Sequence, residues 1–153
     1  MAAVFVCTGG KCENNGMPSV ADKLPLSVAS ITRLVDVFYD RIQEHPTLGP
    51  VFNAAVHDWP EHKRLLVSFW SSVALKTQTY RGNPMREHHG KGIRFEHFEQ
   101  WLDLWKTTSE EILLAEDAEE MQMYATRIGR SLSYGLGLSG AHGGRNLGVP
   151  IIQ

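Results

Sequence analysis

Apolar side chains recur at three- and four-residue intervals along most of this chain, and that spacing admits one kind of core. Ile31, Leu34, Val35, Phe38 and Ile42 form one stripe, and Leu65, Leu66, Phe69, Trp70 and Val73 a second. Phe95, Phe98, Trp101, Leu102, Trp105 and Ile112 form a third, and Met121, Tyr124, Ala125, Ile128 and Leu132 a fourth. Each stripe covers one face of a helix with about 3.6 residues per turn. The segment AVFVC near the N-terminus could be a strand, but a lone strand has nothing to pair with. The expected fold class is all-α, with four substantial helices and one short one. A chain of 153 residues suits one ordinary domain.

Local signals punctuate the stripes. His45-Pro46 should end the first helix, because the residue before proline avoids the helical region. Thr47 to Val56 reads as a turn-rich link around Gly49-Pro50. Asp58-Trp59-Pro60-Glu61 starts the second helix, with Asp58 as cap, Pro60 in the first turn and Glu61 as the reciprocal partner. That helix should end between Lys76 and Thr79. Asn83-Pro84 starts a helix that Gly90 and Gly92 confine to about one turn, Met85 to His89. Asp117 and Glu120 read as the start of the last helix. Residues 1–26 form an irregular arm in this reading, 27–136 the folded domain, and 137–153 a flexible glycine-rich tail.

Charge narrows the partners. Fifteen basic against 17 acidic side chains, a net −2, give no case for nucleic acid or an anionic membrane. No apolar run approaches the roughly 20 residues of a membrane span. The opening MAAVFVCTGGKC has no basic lead and does not read as a secretory signal. Cys7 and Cys12 cannot build a disulfide framework, which fits a reduced, cytoplasmic chain. VFVCTGGKC is similar to the opening of thioredoxin-like two-iron ferredoxins, but the second cysteine pair is missing and no cluster is expected.

Seven His and four Trp are the unusual residues, crowded with aromatic neighbours between positions 38 and 105. His88 and His89 share the short helix and point about 100° apart, so at most one faces inward. His62 shares a face with Leu65, Leu66 and Phe69. Tyr39 and Trp101 lie on inward stripes with a hydroxyl and an indole N–H to place. Singly, the His pair reads as surface, His62 as an edge histidine, and Tyr39 and Trp101 as packing. His88, His89 and His97, with Glu87 and Glu96, match no zinc-ligand spacing. Together, two histidines 26 residues apart, apolar walls and several donors suit a flat apolar cofactor with a central metal.

This combination resembles a globin, specifically the truncated haemoglobins of the third group, over about residues 27–136. The stretches that carry it are VFYDRIQEHPTLGPVFN, DWPEHKRLLVSFW, YRGNPMREHHGKG and FEHFEQWLDLW. The resemblance implies a two-over-two helical sandwich around haem b. It implies His88 as the proximal iron ligand and Phe52 as the ring stacked on the haem. Tyr39 and Trp101 become distal donors, and His62 a distal gate or sixth ligand. Leu66 would lie over the porphyrin, with Phe38, Phe69, Met85 and Phe98 as walls. The family often sets a base on the distal helix to meet a propionate, where this chain has Leu65. Lys63, Arg64, Arg81, Arg86 or Arg94 could take that place. The ring nitrogen of His88 that faces away from iron needs a partner, often a backbone carbonyl.

The implied function is binding of dioxygen, nitric oxide and CO, with oxygen transport or nitric oxide detoxification as roles. Hydrogen-bond donors stabilise such ligands as they gain negative charge. Nitric oxide dioxygenase or peroxidase-like turnover would need an external reductase. The alternatives are a haem sensor or carrier without catalysis, a cofactor-free helical interaction module, and a zinc hydrolase.

Overall fold

In a computed structural model, residues 19–138 are described, and they form six α-helices. These are α1 (Val28–Glu44), α2 (Leu48–Ala55), α3 (Trp59–Leu75), α4 (Pro84–His88), α5 (Phe95–Ile112) and α6 (Ala115–Gly135). The described residues contain no strand, only an isolated parallel bridge between Leu24 and Leu113. None of their helices is long and apolar enough to cross a membrane. Cys7, Cys12 and most of the glycine-rich tail lie outside the described residues.

The helix starts follow local chemistry. Ser27 and Ser30 cap α1 reciprocally, Ser30 N–H donating to Ser27 Oγ at 3.1 Å and Ser27 N–H to Ser30 Oγ at 2.8 Å. Asp58 Oδ1 accepts Glu61 N–H at 3.0 Å to open α3, and Asn83 Oδ1 accepts Arg86 N–H at 3.2 Å to open α4. Beyond α4 the chain turns at Gly90 and Gly92, with φ of 71° and 69°. Those left-handed values favour glycine.

Two expectations are corrected. The segment from Thr47 to Val56 is not a link but holds α2. Gly49-Pro50 looked like a turn, yet Pro50 falls in the first helical turn, where no N–H is needed. The last helix begins at Ala115, ahead of the Asp117 signal. Asp117 instead accepts Leu26 N–H at 3.0 Å, a contact 91 residues away in sequence. Leu24 N–H donates to the Ile112 carbonyl at 2.9 Å, and Leu114 N–H to the Leu24 carbonyl at 3.0 Å. These bonds pin residues 24–26 across the α5–α6 junction.

Helix α1 packs on α3, α5 packs on α6, and α1 also crosses α2 and α5. Their shared core centres on Trp105, which is fully buried. Trp105 stacks on Trp101 at 5.1 Å and on Trp70 at 4.6 Å between ring centroids. Phe38 meets Trp101 and Trp105 edge-on at 5.0 and 4.9 Å. Such offset and edge contacts favour aromatic quadrupoles.

Gly49 marks the closest approach of α2 to α1. A Cβ there would sit 2.8 Å from the Gln43 carbonyl oxygen and 3.3 Å from that of Ile42. Both are backbone atoms, which cannot swing aside. Gly49→Ala should therefore destabilise the fold by about 1–3 kcal/mol, outweighing alanine's helix preference of about 1 kcal/mol. A urea midpoint at or above the native one would contradict this contact.

Candidate functional site

A largely apolar cavity opens between the two helix pairs, of about 1070 Å³ counting its open mouth. Helix α1 contributes Tyr39, and α2 contributes Val51, Phe52 and Ala55. Helix α3 adds His62, Leu66, Phe69 and Trp70. The short α4 and its loop add Glu87, His88, Lys91 and Ile93. Helix α5 supplies His97, Phe98 and Trp101, and α6 supplies Ala125, Ile128, Gly129 and Leu132.

His88 is oriented by its own helix. Its Nδ1 meets the Pro84 carbonyl at 2.5 Å, one turn back. That contact selects the Nδ1–H tautomer, which leaves the Nε2 lone pair as the free ring position. The partner of this ring nitrogen is thus a backbone carbonyl. His89 is the C-cap of α4 and does not line the cavity.

Polar side chains on α1, α3 and α5 also line the cavity. Tyr39 is 3% exposed. Burial pushes its hydroxyl well above the usual phenol value, while the polar N–H of the neighbouring Trp101 pulls the other way. His62 packs edge-on to Tyr39 at 5.8 Å and to Trp59 at 5.5 Å. Burial lowers its pKa, and the nearness of a second imidazole, His88, lowers it further. A neutral imidazole keeps one nitrogen as acceptor or ligand and one as donor.

Phe38, Met85 and Arg86, expected around a cofactor, do not line the cavity. Phe38 precedes Tyr39 by one residue, so helical rotation turns it toward α5, where it backs Tyr39 and Trp101. Met85 fits against Gly135, where a Cβ would sit 2.8 Å from its sulfur. It seats α4 on α6. Arg86 is exposed, 3.7 Å from Glu87. The histidine and carboxylate set weighed for zinc gathers no group of three metal-ligating side chains among the described residues.

Among the lining residues not expected at the site, Trp70, Lys91 and His97 carry polar groups. Trp70 is 2% exposed and its indole N–H has no partner. Its helical stripe announced burial but not this vacancy. Lys91 was hidden in a glycine-bounded loop whose course no local pattern fixes. His97 is 7% exposed, and its Nδ1 accepts Arg94 N–H at 3.0 Å.

Burial and Arg94 hold the His97 pKa below the usual imidazole value. Around pH 6 the native protein then binds fewer protons than the unfolded chain, whose histidines titrate near 6.5. Stability is full above that value and is lost as pH falls through the native one. Protonation also removes the acceptor that Arg94 N–H uses. The fall in thermal midpoint between pH 7 and pH 5 should be smaller in His97→Gln, which keeps an acceptor without titrating. An unchanged fall would contradict this role.

An imidazole with a free Nε2, several side-chain donors and apolar walls thus line one cavity. The family model described as bacterial-like globin matches residues 21–129, more than half of the chain. The chain belongs to that family. This globin is 35% identical over 82 residues to a group 3 truncated hemoglobin of Campylobacter jejuni, a match covering 50% of this chain and 65% of that protein. The matched stretch is thus just under two thirds of that relative's length. A group 2 truncated hemoglobin of Bacillus subtilis is 28% identical over 93 residues, covering 59% of this chain and 70% of that protein. The crystal structure of the group III truncated hemoglobin from Campylobacter jejuni superposes with a TM-score of 0.72 and 27% identity. It covers 80% of this chain and 99% of that one. The all-helical fold is the truncated globin fold. Globins as a family hold haem and bind small gaseous ligands.

Proposed function

We propose that this globin holds haem b on His88 and binds dioxygen, nitric oxide and CO on the side facing Tyr39, Trp101 and His62. The observation that carries the reading is the contact of His88 Nδ1 with the Pro84 carbonyl, which commits one ring nitrogen and frees the other. Two further features fit a haem. The cavity walls are apolar, with Phe52, Leu66, Phe69 and Phe98 available to a porphyrin face. The unpartnered Trp70 N–H is a vacancy that an acceptor brought in by a ligand could fill, since a buried unsatisfied donor costs about 1–3 kcal/mol.

When bound, the haem supplies an iron with a coordination position open to diatomic ligands. The chain's residues do the rest. The Pro84 carbonyl fixes the His88 ring and raises its basicity. Tyr39 presents its O–H, and Trp101 can turn its single N–H from Tyr39 to the ligand, where negative charge develops. Tyr39, already protonated at neutral pH as any phenol is, has its pKa raised further by burial and stays a donor. His62 is neutral there and can donate or approach the iron itself. The apolar walls exclude water, which strengthens each of these hydrogen bonds.

Turnover of nitric oxide or peroxide would use the same donors and draw electrons from an external reductase. Ligand binding alone asks less of the site and is the primary reading. Its test is the dioxygen dissociation rate of Tyr39→Phe and Trp101→Phe. A hydrogen bond to a charged group contributes about 1.5–3 kcal/mol, so each variant should release dioxygen about 10- to 150-fold faster. Dissociation rates within twofold of the native protein in both variants would remove these donors from the account.

A further inference from the structure

We propose that Lys91 is the cationic anchor for a carboxylate of the bound cofactor. The proposal rests on the haem reading above. A haem carries two propionates on one edge. Buried unpaired carboxylates are strongly disfavoured, so that edge belongs at the mouth of the cavity. Among the described residues, Lys91 is the only lysine or arginine lining the cavity, and it is exposed, which puts it at that mouth.

The cations singled out from the sequence are otherwise placed. Lys63 lies 2.7 Å from Asp36 and 2.6 Å from Asp40. Arg64 lies 2.6 Å from Glu61. Arg86 faces Glu87, and neither Arg81 nor Arg94 lines the cavity. Lys91, by contrast, has no carboxylate within ion-pair distance among the described residues.

The loop supports this placement. Gly90 and Gly92 both hold left-handed φ, and a Cβ at either would meet nothing within 4 Å. Backbone course, not crowding, is the reason for glycine at both positions. That course returns Lys91 to the cavity beside His88. Glu87 also lines the mouth and would repel a propionate, but Arg86 lies 3.7 Å from it and offsets part of its charge.

The experiment loads the protein with hemin or with hemin dimethyl ester, whose propionates carry no charge. Release to excess apomyoglobin is followed in the Soret region for the native protein, Lys91→Met, Lys91→Arg and Arg81→Met. With hemin, Lys91→Met should release about two- to fivefold faster, the range of an exposed ion pair. The gap should narrow in about 1 M salt, and Lys91→Arg and Arg81→Met should behave as native. With the dimethyl ester, native and Lys91→Met should release at one rate. Equal rates with hemin would overturn the proposal. So would an equal gap with the ester, which would place the effect in the loop and not in the charge. Native protein that takes up neither compound would overturn the haem reading itself, and this proposal with it.

Discussion

If His88 holds the haem iron as proposed, His88→Gly should remove that ligand, and added imidazole should restore it. The variant keeps the cavity, since His88 is a part-buried residue at the end of a five-residue helix and outside the main core. What it loses is the one imidazole whose Nδ1 is fixed by Pro84 and whose Nε2 is free. Removing even an outer partner of a metal ligand costs about 10- to 100-fold in affinity, so losing the ligand should weaken hemin binding at least 100-fold. Imidazole diffusing into the vacated space should return the native ferrous spectrum. His89→Gly should leave that spectrum unchanged, because His89 caps α4 and stays out of the cavity. A normal spectrum for His88→Gly, or a lost one for His89→Gly, would assign the ligand elsewhere.

Trp105→Ala should be the most damaging single change to the fold. The side chain is fully buried, stacks on Trp70 and Trp101, and meets Phe38 edge-on. Its indole N–H donates to the Met121 carbonyl at 3.3 Å, tying α5 to α6. Truncating a buried tryptophan costs about 3–5 kcal/mol, against a total stability of about 5–15 kcal/mol for a domain. Chemical denaturation should show that loss with a nearly unchanged slope. Trp101 and Trp70 lean on the same ring and line the cavity, so hemin affinity should fall as well. A loss under 1 kcal/mol would mean the stack is not the keystone of this core.

Much of this architecture was legible because it is local. Helices α1, α3, α5 and α6 follow from apolar spacing, and α4 from Asn83-Pro84 with Gly90 and Gly92 behind it. Helix α2 was missed because Gly49 and Pro50 favour a turn in isolation. It forms because the chain between α1 and α3 packs closely on α1 at Gly49. Asp117 was misassigned for the opposite reason: its partner, Leu26, is 91 residues away, and no local pattern records such a contact. The site divides in the same way. His62, Leu66 and Phe69 share one helical face, so their convergence is periodic. Choosing Tyr39 over Phe38 for the cavity wall depends on how α1 is rotated against α5. Choosing His88 over His89, and finding Lys91, depend on the course of a glycine-bounded loop. Spacing alone does not determine either.

The most direct measurement of the central claim is a hemin titration of the purified full chain, with ferric, ferrous and ferrous-CO absorption spectra. The account predicts one equivalent bound, a Soret band, and a ferrous spectrum that shifts on addition of CO. A chain that stays colourless after hemin is added, while folded by circular dichroism, would contradict it.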